Sequence, residues 1–176
     1  MKTIDTHFLA LSCLLAKGHL LIEDVPGTGK TLLAKNLADK LNIKTTRLQC
    51  TNDLLPSDIL GYNFYDQAKK KMVFKKGPIF SQVLLADELN RAPSKTQSAL
   101  LEAMEKSQVS IEGETYPLEK PFFVIATQNP REHVGVFDLP ESQIDRFYLS
   151  LKMNELNRKD YKTILMQNTH ASPFDS

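Results

Sequence analysis

A short glycine-containing segment at 25–31, Val-Pro-Gly-Thr-Gly-Lys-Thr, carries the strongest chemical signal in the sequence. It follows an apolar run at 20–22 and opens a segment with amphipathic helical spacing. Its glycines let backbone N–H groups turn toward phosphate oxygens, and the N-terminus of the following helix adds a favourable dipole. Lys30 can reach the β and γ phosphates, while the Thr31 hydroxyl can hold Mg²⁺. We therefore predict a nucleotide phosphate site made by Asp24, Val25, Pro26, Gly27, Thr28, Gly29, Lys30 and Thr31.

Asp24 stands where the G-x-x-x-x-G-K-[ST] pattern has its first glycine. Because Asp24 ends the predicted strand, its side chain can point away from the phosphates, which an inward carboxylate would repel. The alternative interpretation of the segment is a glycine-rich strand-to-helix turn without a ligand. The remaining motifs decide between the two.

Two adjacent carboxylates, Asp87 and Glu88, follow a second apolar run at 83–86. A carboxylate in this place can hold Mg²⁺ through water, and its neighbour can orient and deprotonate an attacking water molecule. We predict the first role for Asp87 and the second for Glu88. The alternative is a pair of acids that cap a helix or face solvent.

Two further polar residues complete the set of candidates. Asn129 follows another apolar run and can bind the γ phosphate or position the water, although Asn129-Pro130 is also a common turn. Arg146 precedes the last predicted strand and can stabilise negative charge on transferred phosphate oxygens. A surface salt bridge between Arg146 and Asp145 or Glu141 is the alternative.

The elements that position these residues alternate between strand and helix along the chain. Near-continuous apolar runs predict strands at 19–23, 44–49, 83–86, 122–126 and 147–151. Such strands are typical of a parallel sheet covered by helices on both faces. Parallel sheets bind ligands beyond the carboxyl ends of their strands, where we expect Asp24, Asp87 and Thr127 to emerge.

Two antiparallel hairpins are predicted to interrupt this alternation. Segments 62–65 and 72–74 flank a polar, basic tip at 66–71, for which a solvated surface loop is the alternative. Further along, β-prone residues on both sides of Glu-Gly-Glu at 112–114 predict a second hairpin.

Local patterns also predict where helices lie and end. Ile4, Phe8, Leu11 and Leu15 recur at helical spacing and predict an opening helix. Gly18 is suited to cap that helix. Ser94 and Gln97 have the spacing of a capping box at the start of a later helix.

Composition bounds the class of protein. With 176 residues and 41% hydrophobic content, we expect one principal domain. A net charge of +1 gives no reason to expect binding to nucleic acid or to a membrane. Cys13 and Cys50 have neither a disulfide framework nor zinc spacing. Because no signal peptide or membrane-spanning run is recognised, we expect a soluble, cytoplasmic protein.

Taken in order, the segments EDVPGTGKT, LLADELNRAPSKTQSALLEAME, FFVIATQNP and LPESQIDRF closely resemble the MoxR-type ATPases of the AAA+ superfamily. The resemblance covers residues 19–151, and Asp24 occurs within the family's pattern. It implies that 27–31 is Walker A, that Asp87 and Glu88 end Walker B, and that Asn129 is sensor 1. It also implies ATP and Mg²⁺ as cofactors and Arg146 as an arginine finger that acts on a neighbouring subunit's ATP.

The same resemblance implies a P-loop NTPase fold, a three-layer αβα sandwich with a parallel five-stranded sheet and two inserted β-hairpins. In the family these hairpins face the pore of a homo-oligomeric ring, typically a hexamer. It further implies a chaperone-like remodeller or maturation factor, with a possible von Willebrand A domain protein and a client complex as partners. Residues 1–152 would be the AAA+ core and 153–176 the start of a helical lid, without the family's adenine-side segment or sensor 2.

Other functions remain open at this point. The chain can be a nucleotide-binding fragment with little turnover, which the motifs support equally. A P-loop small-molecule kinase would need an acceptor site and an arginine-bearing lid, neither of which is recognised. A nucleic-acid motor of the same superfamily would have to rely on the lysines at 69–71, 75 and 76.

Overall fold

The computed structural model describes residues 6–23, 33, 36, 39, 41–129 and 135–152. The predicted phosphate segment 24–31 and the predicted lid start at 153–176 lie outside the described residues. In chain order the described elements are α1 (Thr6–Leu15), β1 (Leu20–Glu23), β2 (Thr45–Gln49), α2 (Pro56–Leu60), β3 (Gly61–Asp66), β4 (Lys71–Lys76), β5 (Val83–Asp87), α3 (Ser94–Lys106), β6 (Gln108–Ile111), β7 (Glu114–Pro117), β8 (Phe123–Gln128), α4 (Glu141–Ile144) and β9 (Leu149–Lys152), with a 3-10 turn at Leu89–Arg91. Residues 33, 36, 39 and 41, between β1 and β2, are also helical.

Five strands form one sheet in the order β2-β5-β8-β1-β9, and all of its pairings are parallel. The central strands are the most apolar, since β5 is buried along its whole length and β8 along all but its last residue. A strand buried on both faces has to be apolar throughout, so polar residues collect where it ends. The predicted five-stranded parallel sheet is confirmed.

Different helices cover the two faces of the sheet. Helix α3 packs on the face that carries Leu84 and Val124, while α1 and Leu33 pack on the face that carries Leu85 and Phe123. Successive side chains of a strand point to opposite faces, which is how each central strand serves both cores. The predicted three-layer αβα arrangement is therefore confirmed.

None of the helices in the described part of the chain has the length and apolar character needed to span a lipid bilayer.

Both predicted hairpins are present as separate two-stranded antiparallel sheets, β3–β4 and β6–β7. They contact each other through the stacked rings of Phe74 and Tyr116, whose centroids are 4.2 Å apart. A second contact is the hydrogen bond that Asn63 Nδ2 donates to Glu112 Oε2 over 2.8 Å. The two hairpins thus support one another beside the main sheet.

The predicted opening helix is confirmed as α1, and of its spaced apolar residues Leu11 packs against the core. Ala10, Cys13 and Leu14 form the buried face, whereas Phe8 is 64% and Leu15 is 74% exposed. Helix α1 has apolar residues around most of its circumference, so spacing by itself did not determine which face meets the sheet. Ile4 lies outside the described residues.

The residue that ends α1 in the left-handed conformation is Lys17, with φ of 58°, rather than Gly18. Gly18 is needed for a different reason, because a Cβ at this position would lie 2.2 Å from Cβ of Tyr148. Its role is therefore the close approach of two chain segments.

The predicted capping box of α3 is also wrong. The N-cap residue is Pro93, without a side-chain cap hydrogen bond. The Gln97 side chain is instead fully buried and donates from Nε2 to the carbonyl oxygens of Ala92 at 3.0 Å and Phe137 at 2.8 Å. Gln97 stands three residues after Ser94, as the second residue of a capping box does, but its side chain joins separate loops in the interior. The sequence spacing is the same in both cases and so did not distinguish a capping glutamine from a buried one.

Candidate functional site

Asp87 ends β5 at the carboxyl edge of the sheet and is 9% exposed. Its Oδ1 accepts a hydrogen bond from Thr127 Oγ1 on the adjacent strand β8 at 2.7 Å. Its Oδ2 forms an ion pair with Arg47 Nη2 on the other neighbouring strand, β2, also at 2.7 Å. Because hydrogen bonds between charged groups are the stronger ones, strands on both sides hold this carboxylate in position.

Glu88 follows in the left-handed region, with φ of 57° and ψ of 50°. This conformation costs a residue other than glycine about 1–2 kcal/mol, so contacts around it must maintain it. The Glu88 amide donates to Thr127 Oγ1 at 2.8 Å. Its Oε2 accepts from Gln49 Nε2 at 3.0 Å and from Arg91 Nη1 at 3.1 Å. The Thr127 hydroxyl thus connects Asp87 and Glu88.

Asn129 lies directly after β8, the strand between β5 and β1, and is 6% exposed. Its carbonyl oxygen accepts a hydrogen bond from Asn90 Nδ2 at 3.3 Å. The fold therefore brings Asp87, Glu88 and Asn129 to one edge of the sheet. The predicted phosphate segment begins in the sequence at Asp24, immediately after β1, whose last residue Glu23 is the register partner of Gln128.

Arg146 lies near the opposite edge. Its guanidinium pairs with Glu105 at the end of α3, rather than with Asp145 or Glu141 as the alternative interpretation had it. The carbonyl oxygen of Met104, next to Glu105, lies 3.3 Å from Nε2 of His19, which immediately precedes β1. This end of α3 therefore lies at the amino edge of the sheet, whereas Asp87 lies at the carboxyl edge.

The Arg146 side chain is 37% exposed and lines a surface hollow of about 330 Å³ between α3 and α4. Further lining residues are Ser98, Glu102, Glu105, Lys106 and Gln143. Glu102 pairs with Lys106 at 2.5 Å, whereas Glu105 pairs with Arg146. The guanidinium is held on the surface, with part of it accessible to another molecule.

Arg47, Gln49 and Arg91 were not identified from the sequence. On β2 the burial of residues alternates, and the polar side chains of Arg47 and Gln49 point to the same side of the strand. Arg47 Nη2 also donates to Gln49 Oε1 at 3.0 Å, which orients the Gln49 amide toward Glu88. An alternating strand that ends in Arg-x-Gln was the available signal, but its meaning depends on the pairing of β2 with β5.

Negative charge at this edge also affects a buried neighbour. Burial, followed by the charges of Asp87 and Glu88, raises the pKa of the Cys50 thiol to about 12. The Cys50 amide donates to the carbonyl oxygen of Asp87 at 2.8 Å. Cys50 is therefore a neutral packing residue beside the site at physiological pH.

The position of Asp87 fits a carboxylate ligand of a magnesium–nucleotide site. Among the described residues, no group of three or more His, Cys, Asp or Glu side chains could hold a metal ion. Mg²⁺ at nucleotide sites is usually held by one or two carboxylates together with phosphate oxygens and water. Asp87, with its position fixed by Thr127 and Arg47, is a donor of that kind.

Residues 19–149 match the family model described as "ATPase family associated with various cellular activities (AAA)". The chain belongs to this AAA family of ATPases, in agreement with its parallel sheet and the carboxylates at its edge.

Within that family the chain is similar to MoxR proteins. The alignment with Chaperone MoxR1 of Mycobacterium tuberculosis shows 46% identity over 152 residues. It covers 86% of this chain and 40% of that protein. The alignment with the uncharacterized protein YeaC of Bacillus subtilis shows 45% identity over 172 residues. It covers 98% of this chain and 54% of that protein. The resemblance to MoxR-type ATPases is confirmed.

A crystal structure of a candidate ATPase from Cytophaga hutchinsonii has the same fold. It is 44% identical in sequence and superposes with a TM-score of 0.81, over 96% of this chain and 51% of that chain. The chain thus spans about half the length of the relatives that it matches.

Proposed function

We propose that this chain is the nucleotide-binding core of a MoxR-like ATPase, residues 1–152 with the start of a helical lid at 153–176. It binds ATP with Mg²⁺ and hydrolyses the bond between the β and γ phosphates. The observation that carries this proposal is the single Thr127 hydroxyl that links the Asp87 carboxylate to the Glu88 backbone at the carboxyl edge of the sheet. A pair of acids that merely faced solvent would not need this buried connection.

Each predicted site residue has a role in this proposal. The segment 24–31 binds the phosphates, with Lys30 on the β and γ phosphates. Thr31 and Asp87 hold Mg²⁺, which supplies charge stabilisation for the transferred phosphoryl group. Asn129 orients the γ phosphate or the attacking water from the end of β8.

Glu88 is the general base of the proposed reaction. Its Oε2 is occupied by Gln49 and Arg91, whereas among the described residues no hydrogen bond reaches Oε1. We assign Oε1 as the atom that takes the proton from the attacking water. Fixing the carboxylate through one oxygen orients the other, which is what general-base catalysis requires of its geometry.

Arg146 acts on the ATP of a neighbouring subunit. A strand of five residues, such as β5, spans about 13–17 Å, and Arg146 and Asp87 lie at opposite edges of the sheet. An arginine side chain cannot cross that distance, so an Arg146 that stabilises a transferred phosphoryl group must do so in another copy. This supports a homo-oligomeric ring, with six subunits as in the intact family.

The wider function that we propose is that of a cytoplasmic, chaperone-like remodeller or maturation factor for a client complex, with a von Willebrand A domain protein as a possible partner. The name of the relative Chaperone MoxR1 supports this direction. Turnover by the chain itself, as opposed to nucleotide binding with little hydrolysis, is the first property to measure.

The direct test uses labelled ATP with Mg²⁺ and three proteins. Lys30→Ala should abolish nucleotide binding, because the cation that meets the β and γ phosphates is lost. Glu88→Gln should bind ATP as the parent does and hydrolyse it at least about a hundredfold more slowly, since a neutral amide is no base. Equal hydrolysis by Glu88→Gln and the parent chain would refute the assignment of the base.

The trans role of Arg146 has its own test. Arg146→Ala and Lys30→Ala subunits should each be inactive, whereas their mixture should regain activity because some interfaces then combine an intact nucleotide site with an intact arginine. Mass measurement on the same samples verifies assembly. An assembled mixture that stays inactive would contradict the role in trans.

A further inference from the structure

A cavity of about 430 Å³ opens at the amino edge of the sheet, on the opposite side from Asp87. Its walls come from four places in the chain, namely the ends of α1 and α3 and the segments that lead into β1 and β8. Cavities of this size are typical of sites for small organic molecules. None of the described residues that we assign to the nucleotide site lines this cavity, so its chemistry has to be explained separately.

The buried part of the cavity wall is mainly apolar. Leu14, Met104 and Phe122 line it, and each of them is at most 8% exposed. The ring of His19 also lines it and meets the Phe122 ring in a T-shaped contact, with the two centroids 5.6 Å apart. Because burial of apolar surface is favourable, this wall suits a ligand with a flat apolar body.

His19 adds no charge to this wall. Burial lowers the pKa of His19, so its imidazole is neutral at physiological pH. Its Nδ1 accepts a hydrogen bond from the Val124 amide at 3.1 Å, so the ring proton is on Nε2, which lies 3.3 Å from the carbonyl oxygen of Met104. Both ring nitrogens therefore have partners within the protein, and the carbon atoms of the ring remain for a ligand.

The exposed part of the cavity wall carries two amines, those of Lys17 and Lys120. No acidic side chain in the described part of the chain pairs with either of them. Among the described lining residues Glu105 is the one carboxylate, and it already pairs with Arg146. The two lysines therefore give the cavity an excess of positive charge, which favours an anion.

A lysine after a helix can instead serve to complement the negative end of the helix dipole. This explanation applies to Lys17, which follows α1, although carbonyl oxygens at that end already have partners. Cys13 O accepts from the Gly18 amide and Leu14 O accepts from the Lys17 amide, both at 3.0 Å. Lys120 lies between β7 and β8 and follows no helix, so the helix dipole does not explain why both amines line one cavity.

We propose that this cavity binds a small organic anion with a flat apolar body, such as an aromatic carboxylate. The carboxylate pairs with Lys17 and Lys120, and the ring packs on Leu14, Met104 and Phe122. Because the cavity and the nucleotide site lie at opposite edges of the sheet, this inference goes beyond the proposed function and does not depend on it.

The test measures binding of cinnamate to the full chain by isothermal titration calorimetry. Cinnamamide is the neutral isostere, and acetate is the anion without an apolar body. Cinnamate should bind at least about tenfold more tightly than either, because it alone uses both the amines and the apolar wall. Lys17→Ser/Lys120→Ser should weaken cinnamate binding about tenfold and leave cinnamamide binding unchanged, because it removes the charge contribution.

The matched control is Lys71→Ser/Lys95→Ser, which removes two exposed lysines outside the cavity and changes the net charge equally. It should bind cinnamate as the parent does. An equal loss in the control, equal affinities of the parent for cinnamate and cinnamamide, or no binding of cinnamate to the parent would overturn the proposal.

Acetylation of lysine amines, followed by mass spectrometry, locates the anion in the unaltered chain. Cinnamate should slow the acetylation of Lys17 and Lys120 and leave that of Lys71 and Lys95 unchanged. Equal protection of all four lysines, or protection of none, would contradict the site.

A competition experiment separates this site from the proposed nucleotide site. Saturating ATP with Mg²⁺ should leave the affinity for cinnamate unchanged. Displacement of cinnamate by ATP would overturn the inference, because both would then occupy one site. Cinnamate binding that depends on Lys17 and Lys120, in a chain that does not bind ATP, would refute only the proposed function.

Discussion

Thr127→Val should destabilise the chain strongly, although valine has nearly the same shape as threonine. The Thr127 side chain is fully buried, and its hydroxyl donates to Asp87 Oδ1 at 2.7 Å and accepts from the Glu88 amide at 2.8 Å. Losing a hydrogen bond to a charged group costs about 1.5–3 kcal/mol, and a buried unsatisfied amide costs about 1–3 kcal/mol. Because Arg47 still pairs with Asp87, we expect a total loss of about 2–4 kcal/mol in the free energy of unfolding.

The assay is urea unfolding followed by circular dichroism, with Thr127→Ser as the matched control. Serine keeps the hydroxyl and removes one buried methyl group, which costs about 1 kcal/mol. The valine variant should therefore unfold at clearly lower urea than the serine variant. A valine variant as stable as the serine variant would refute the view that this hydroxyl holds the Asp87–Glu88 turn together.

Two further predictions concern charged and titratable groups. Arg47→Met should lower the free energy of unfolding by about 1 kcal/mol, because Arg47 is 52% exposed while Asp87 is mostly buried, and Arg47→Lys should restore part of that loss in the same urea assay. Burial lowers the pKa of His19, whose Nδ1 accepts from the Val124 amide at 3.1 Å, so the unfolded chain binds the proton more readily than the folded one. This contribution to stability is complete above the unfolded pKa of about 6.5 and is lost as the pH falls through the lower folded pKa. The urea midpoint should therefore decrease between pH 7.5 and pH 5, and by less in His19→Leu; an equal decrease in both would contradict the assignment.

Much of the architecture was predictable because the central strands are short apolar runs that end in polar residues. Asp87, Glu88 and Asn129 were predicted as site residues in this way, and the fold brings them to one edge. The face of α1 and the role of Gln97 were not predictable, since helical spacing and capping patterns describe local geometry only. Which apolar face is buried depends on the sheet that the helix meets.

Arg47 and Gln49 show the same limit within the site. Their contacts with Asp87 and Glu88 join residues about forty positions apart, through the pairing of β2 with β5. Nothing local to residues 45–49 specifies that partner strand. The pairing follows from how the whole sheet orders its strands.

The sequence by itself predicted the kind of chemistry, because glycines, a lysine, adjacent carboxylates and an amide at strand ends are groups that suit the binding of phosphate and Mg²⁺. Only the tertiary structure decided how those groups are held and where they lie relative to each other. It joined Asp87 and Glu88 through Thr127, and it placed Arg146 with Glu105 at the other edge of the sheet. The physical reason is that side-chain chemistry is a property of single residues, whereas distance and burial arise from contacts between segments far apart in the chain.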